Sequence, residues 1–246
     1  MKIKPYSDNF FTEPSGSLKS AEQIVPLVLD LIRLKSVVDI GCGTGSFLRV
    51  FRENGVNDIF GIDGEWMPKN KLQIPEEFFQ SADLQRTFEL NRKFDLVISL
   101  EVAEHLPVES AETFVGSLTS LGPVILFSAA IPFQGGINHM NEQWPEYWVR
   151  LFGQKDYVPV DCIRRKIWNN KEVCMWYAQN ILFFVKRDYL QKNKMLRKEY
   201  QQTHKSFLSL VHPKLYLFKT KRYYTFIKII PFPIRWVIIK LKNLLR

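Results

Sequence analysis

The sequence predicts an open α/β sheet with helices on both faces, and three observations carry that reading. Short runs of β-branched and aromatic residues alternate with amphipathic helical patterns from about residue 36 to residue 185. The first run, Val37-Val38-Asp39-Ile40, leads straight into Gly41-Cys42-Gly43-Thr44-Gly45 and then into a helical pattern with Phe47, Leu48 and Phe51 on one face. A second run, Ile59-Phe60-Gly61-Ile62-Asp63, ends in an acid about 20 residues further on. Strand, glycine turn, helix and a distal carboxylate are the parts of a nucleotide-like site at the carboxyl end of a parallel sheet.

The elements follow in order. Residues 1–16 are mixed polar and aromatic and read as a loop over the fold. Ser17 to Leu34 reads as a helix, with Pro26 marking a kink or a late start. Strands are predicted near 36–40, 59–63, 77–81, 94–99, 123–128, 156–161 and 175–185, the last two as a hairpin. Helices are predicted over 46–54, 109–120 and 143–152.

The glycine spacing narrows the ligand. Gly41-x-Gly43-x-Gly45 lacks the two-residue gap of G-x-G-x-x-G, which argues against a pyrophosphate. Here the chain resembles the class I S-adenosylmethionine-dependent methyltransferases, whose first motif, D-x-G-x-G-x-G, stands intact from Asp39 to Gly45. Their ribose-binding acid matches Asp63, followed by Gly64, and their acid near the adenine matches Asp83, followed by Leu84. Their fourth strand and turn match Phe94 to Leu106, which places Glu101 toward the methionine end of the cofactor. The resemblance covers about residues 17–186. It implies a Rossmann-like, seven-stranded, mostly parallel sheet with an antiparallel last strand. It also implies S-adenosylmethionine as cofactor, held by Asp39, Gly41, Cys42, Gly43, Gly45, Asp63, Gly64, Asp83, Leu84 and Glu101. Cys42 alone reads equally as a small residue that fits its loop.

Composition frames the rest. A 46% hydrophobic and 14% aromatic chain of 246 residues is enough for one α/β domain and an appendage. Three cysteines without a C-x-x-C pair, and no leader pattern, lead us to expect a cytoplasmic protein with reduced thiols. The net charge of +9 is unevenly spread: residues 187–246 hold fifteen Lys/Arg against Asp188 and Glu199, a balance of +13, while residues 1–186 carry −4. The expected organisation is therefore a methyltransferase domain over 1–186 and a basic, helical C-terminal extension over 187–246. The stretch 234–246 puts Ile234, Val237, Ile238, Leu241, Leu244 and Leu245 on one face, a pattern for an anionic membrane surface and a peripheral location. Docking on the enzyme body or a partner is the alternative. Nucleic acid is a third partner class, because Tyr223, Tyr224 and Phe226 interleave with Lys221 and Arg222.

The acceptor side lies after the fifth strand. Phe127 to Trp144 is a long loop of small and polar residues. An imidazole has an ordinary pKa of about 6.5, so His139 suits a general base for a hydroxyl acceptor. Glu142 is placed to orient that ring, to act as base itself, or to cap the next helix together with Asn141. His105, in Glu101-Val102-Ala103-Glu104-His105, lines either side of the cleft or only shapes a turn. No residues show metal-ligand spacing, so no metal is expected. Trp144, Trp148, Trp168 and Trp176 make either a platform for a ring or ordinary aromatic core.

Residues 99–185 are also similar to bacterial methyltransferases found with polysaccharide-building enzymes, in which phrases like Ser99–Leu106, Phe127–Pro132, His139–Trp148 and Gln179-Asn180 recur. That likeness implies glycan hydroxyls as acceptors. An O-methyltransferase acting on a sugar or small molecule is the leading expectation. Methylation of RNA, with the basic extension as anchor, or of a membrane lipid are the alternatives. No N/D-P-P-Y/W run follows the fourth strand, which weakens amino methylation of bases. A cofactor-binding scaffold without turnover fits poorly with the intact Asp39, glycines and Asp63.

Overall fold

The structure is a computed structural model that describes residues 16–229, with side chains as far as residue 225. The calls on residues 1–15 and 230–246, including the amphipathic stretch 234–246, lie outside the described residues. Contacts divide the chain into two units, one ending at Leu210 and one beginning at Val211.

In the first unit, β1 (Ser36–Ile40), β2 (Asp58–Asp63), β3 (Phe79–Ser81), β4 (Leu96–Leu100), β5 (Val124–Ser128), β6 (Tyr157–Val160) and β7 (Leu182–Lys186) form one sheet. Their order is β3-β2-β1-β4-β5-β7-β6. The first five strands pair in parallel, and β7 runs antiparallel to both β5 and β6. This is the predicted Rossmann-like sheet. The order reverses at β1 and β4, which opens a crevice at their carboxyl ends.

Side chains along each central strand enter the two faces of the sheet alternately, with a two-residue period. Val37, Leu96, Ile98, Leu126 and Phe183 enter the core beneath α1 (Gly16–Leu31) and α2 (Ser46–Glu53). Val38, Ile40, Val97, Ile125 and Phe184 enter the core on the opposite face. There they meet α3 (Ala111–Leu121) and α4 (Pro145–Gly153) through Phe114, Leu118, Trp148 and Phe152. Every residue of β1, β4 and β5 is buried, as expected when helices cover both faces.

The elements depart from the sequence reading at identifiable places. Helix α1 ends at Leu31 rather than Leu34, and it runs through Pro26 instead of starting there. The strand expected over 175–185 is two elements: α6 (Met175–Asn180), then β7. A short aromatic run such as Met175-Trp176-Tyr177 does not separate helix from strand by pattern alone. Nor do β6 and β7 form a simple hairpin, because α5 (Arg164–Ile167) and α6 lie between them. Arg164 is almost fully buried there. It pairs with Asp161 and donates to the main-chain oxygens of Gln179 and Leu208 at 3.1 and 2.7 Å, which ties α5, α6 and the 208 segment together. Helices α7 (Arg187–Lys192) and α8 (Lys194–Gln201) follow. The second unit contributes α9 (Pro213–Ile229).

Candidate active site

The glycine loop turns the chain from β1 into α2. Gly41, Gly43 and Gly45 have φ of 80°, 53° and 83°, a left-handed run that side chains resist. At Gly41 a Cβ would also lie 2.4 Å from Val102. Around Gly43 a Cβ would meet nothing within 4 Å, so its backbone faces open cavity. The N–H groups of Gly41 and Cys42 both donate to the Ile62 oxygen, and the Gln73 carboxamide donates to the Thr44 and Ser46 hydroxyls at 2.8 and 2.9 Å.

Two buried carboxyls flank the loop. Burial, then the charge of Asp63, pushes the Asp39 carboxyl well above its usual range. Asp63 is raised by burial too, against which the N–H groups of Gly43 (2.7 Å) and Gly64 (2.6 Å) each donate to one of its oxygens. Burial, then Asp63 and Asp39, also pushes the Cys42 thiol up and keeps it protonated. Gly64 leaves room for the Trp66 ring, which passes 2.2 Å from where its Cβ would stand.

Two cavities meet at this loop, of about 700 and 490 Å³. Gly41, Gly43, Glu101 and His105 line both. Asp63, Asp83, Leu84 and Trp66 line the smaller one. Asp39, Cys42, Glu104, His139 and Trp176 line the larger. Gly45 and Gly64 shape the backbone behind these walls. Of the cofactor-binding and catalytic residues named from the sequence, all but Gly45, Gly64 and Glu142 line one or other of these cavities, and Glu142 reaches the larger through His139.

Glu101 stands where β4 leaves the sheet, at φ 56°, a strained conformation for a non-glycine residue. Its N–H donates to the Ser128 oxygen at 3.0 Å, and its carboxylate accepts from Gln134 and Asn180, each at 3.0 Å. Gln134 in turn accepts from Gln179 and Asn180. This amide ring fixes the carboxylate between β4, β5 and α6. Burial raises the Glu101 pKa, and the hydrogen bonds from Asn180, Ser128 and Gln134 oppose the rise.

Glu104 and His105 lie on the next turn. Glu104 is completely buried, and neither carboxyl oxygen makes a hydrogen bond of good geometry. Burial, then the charge of Glu101, pushes its carboxyl well above the usual range. The main-chain oxygen of Glu104 accepts from Met140 and Asn141 at 2.8 and 3.0 Å, which draws the loop after β5 over this turn. His105 and His139 meet edge to face with ring centroids 4.7 Å apart. Burial, with His139 beside it, pushes the His105 imidazole down to about 4, so the ring is neutral at pH 7.

His139 Nδ1 lies 2.9 Å from Glu142 Oε1. The same Glu142 carboxylate accepts from the N–H groups of Phe133 (2.7 Å) and Gly135 (2.6 Å), so it closes the loop and orients the imidazole at once. Neither Glu142 nor Asn141 caps α4; Trp144 holds that position without a side-chain cap. The loop folds back on itself instead. The tryptophans divide: Trp148 packs in the core against Phe127, whereas Trp176 is 38% exposed at the rim of the larger cavity.

Sequence reasoning missed Gln73, Gln134 and the ring made with Gln179 and Asn180. The Gln179-Asn180 phrase was visible in the sequence, but its partner Glu101 is 79 residues from Asn180. The sequence raises His105, His139 and nearby acids as a metal-binding set but offers no ligand spacing for it, because 34 residues separate the two histidines along the chain; the fold brings them together with Glu104.

Residues 18–152 match the Methyltransferase domain family, more than half of the chain. A malonyl-(acyl-carrier protein) O-methyltransferase of Hamiltonella defensa subsp. Acyrthosiphon pisum (strain 5AT) is 30% identical over 118 residues, 46% of this chain and 44% of that protein. The chain thus spans less than half the length of that relative. Two solved structures are similar in fold. One is the magnesium protoporphyrin IX methyltransferase of Synechocystis PCC 6803 with bound SAH, at a TM-score of 0.52 and 23% identity, covering 70% of this chain and 84% of that one. The other is a SAM-bound amino pentose methyltransferase of Micromonospora echinaspora, at 0.52 and 14% identity, covering 74% and 98%. With its sheet order and glycine loop, the chain belongs to the Methyltransferase domain family.

Proposed function

We propose that this enzyme methylates a hydroxyl on a sugar or another small-molecule acceptor. One observation carries the reading: a carboxylate-backed imidazole, His139 on Glu142, lines the same cavity as the glycine loop and Glu101. The cofactor supplies a methyl group already bonded to a good leaving group, so alignment and desolvation do most of the work. An alcohol must still lose its proton to become a nucleophile, and that demand explains the imidazole.

In this reading Asp39, Gly41, Cys42, Gly43, Gly45 and Glu101 hold the methionine end, Asp63 takes the ribose hydroxyls, and Asp83 and Leu84 lie at the adenine with Gly64 behind them. The open space at Gly43 and the buried carboxylate of Asp63 fit such a ligand. Activation of the acceptor oxygen centres on His139, oriented by Glu142 and packed on His105. Trp176, exposed at the rim, offers a face to the ring of a sugar. The extension over 187–246 serves as a peripheral anchor at an anionic membrane surface. Tyr216, Leu217, Phe218 and Tyr224 are all exposed on α9, beside Lys219 and Lys221. Among the described residues no helix is long and apolar enough to cross a membrane.

The test is transfer of labelled methyl into separated glycan, small-molecule, lipid and RNA fractions of a host extract. Label is expected in the glycan or small-molecule fraction. His139→Ala should cut turnover by about 100-fold or more with donor affinity within about twofold. Label in the RNA or lipid fraction alone would overturn the acceptor class. Unchanged turnover would remove His139 from the chemistry.

A further inference from the structure

We propose that Glu104, His105 and His139 bind a divalent transition-metal ion beside the methyl-donor site. The proposal rests on the hydroxyl-acceptor reading above and specifies how His139 acts in it. One carboxylate oxygen and one nitrogen of each imidazole lie within 4.8 Å of one another. Bonds of about 2.0–2.2 Å to a single ion require these atoms to close by roughly an ångström. All three side chains line the larger cavity, so an ion there would face the acceptor.

Three features separate this cluster from a chance meeting of polar groups. Glu104 is completely buried, and neither of its oxygens makes a hydrogen bond of good geometry; its nearest polar neighbours are main-chain N–H groups and another carboxyl, Glu101. A buried carboxyl in that condition is costly unless something charged completes it. The second feature is that each histidine is oriented from behind. His139 Nδ1 is held by Glu142 at 2.9 Å, and the His105 ring bonds to the main chain at Ile137 and Asn138. Ligating histidines are held by carboxylates and main-chain carbonyls in this way, which fixes the ring and the nitrogen it offers. The third is that the loop comes to the cluster by design of the backbone. Met140 and Asn141 both donate to the Glu104 main-chain oxygen, and Gly136 leaves the space that the His139 ring fills.

Two imidazoles and one carboxylate favour a first-row transition ion over magnesium or calcium, which prefer all-oxygen sites. Three protein ligands leave positions for water and for the acceptor oxygen. The ion would lower the pKa of that hydroxyl as a Lewis acid, and its proton would leave to water. The acceptor oxygen then forms its bond to the methyl carbon as the carbon–sulfur bond breaks, and that electron pair stays on sulfur.

The test uses the untagged full chain, stripped with a chelator and titrated with Mn²⁺ by calorimetry and with Co²⁺ by visible absorption. One ion per chain is expected, with d–d bands showing nitrogen and oxygen ligation. Glu104→Gln and His139→Asn should each weaken binding by about 100-fold, and Glu142→Gln by about 10–100-fold through loss of ring orientation. Circular dichroism must show all three variants folded, and Glu104→Gln keeps the shape of the buried side chain if the asparagine variant unfolds. Absence of binding at millimolar Mn²⁺ and Co²⁺, or full affinity in the folded Glu104→Gln variant, overturns the site. Full methyl transfer to a hydroxyl acceptor in chelator, lost on His139→Ala, also overturns the site while the acceptor reading stands. One Co²⁺ per chain with no hydroxyl acceptor methylated upholds the site and overturns that reading.

Discussion

At the residue scale, the buried acid near the end of β1 costs stability at neutral pH, as a side chain kept for the proposed donor site would. Asp39 is 4% exposed at the end of β1, and burial and Asp63 hold its pKa above the unfolded value. Between those two values the folded chain keeps a proton that the unfolded chain has released, so stability falls as pH rises through that window. Asp39→Asn removes this penalty. Its melting temperature should exceed the parent's at pH 7 by a margin that shrinks toward pH 4. About 1 kcal/mol corresponds to roughly 2–4 °C in a chain of this size. Donor affinity should fall in the same variant, as calorimetry with S-adenosylmethionine would read. Equal melting curves for the two proteins at both pH values would remove the carboxylate as a source of strain.

At the scale of elements, the loop from Ala129 to Trp144 does more than connect β5 to α4. Glu142 holds it shut from below, Glu104 from the side, and Gly136 supports the His139 ring. A Cβ on Gly136 would lie 2.1 Å from His139 Nε2, so Gly136→Ala must push the imidazole aside. Turnover should drop by about 10–100-fold while donor affinity stays within about twofold, because the glycine loop is untouched. Kinetics beside calorimetry separate the two, and a parallel loss of donor affinity would mean that the loop also shapes the cofactor site. What was legible in the sequence follows the same division. The Asp39–Gly45 loop could be read because its meaning lies in contiguous residues: a buried strand, three left-handed positions and a helix. The strand at 175–180 was misread because Met175, Trp176, Tyr177 and Ala178 suit helix and strand alike. The amide ring on Glu101 and the meeting of Glu104 with His139 were hidden, since both depend on how far β4, β5 and α6 approach in space. Local pattern carries no such distance.

At the scale of the whole molecule, charge is segregated along the chain. Residues 1–186 carry −4, and residues 211–246 hold nine Lys/Arg with no acid at all. The second unit adds exposed Tyr216, Leu217, Phe218 and Tyr224 to that charge. A mildly acidic body gains nothing at an anionic surface, so attraction must come from the basic end. Each Lys or Arg near an anionic bilayer is worth about 1 kcal/mol, so three or four of them are enough for roughly 100-fold enrichment. The full chain should sediment with vesicles containing phosphatidylserine and not with neutral ones. Raising the salt from about 0.1 to 0.5 M should release most of it, since the Debye length shrinks well below its ~10 Å at 0.1 M. Binding that survives salt would assign the contact to the aromatic side chains instead. Equal sedimentation with neutral and anionic vesicles would end the membrane reading, and the charge of the C-terminal unit would then need another polyanion as its partner.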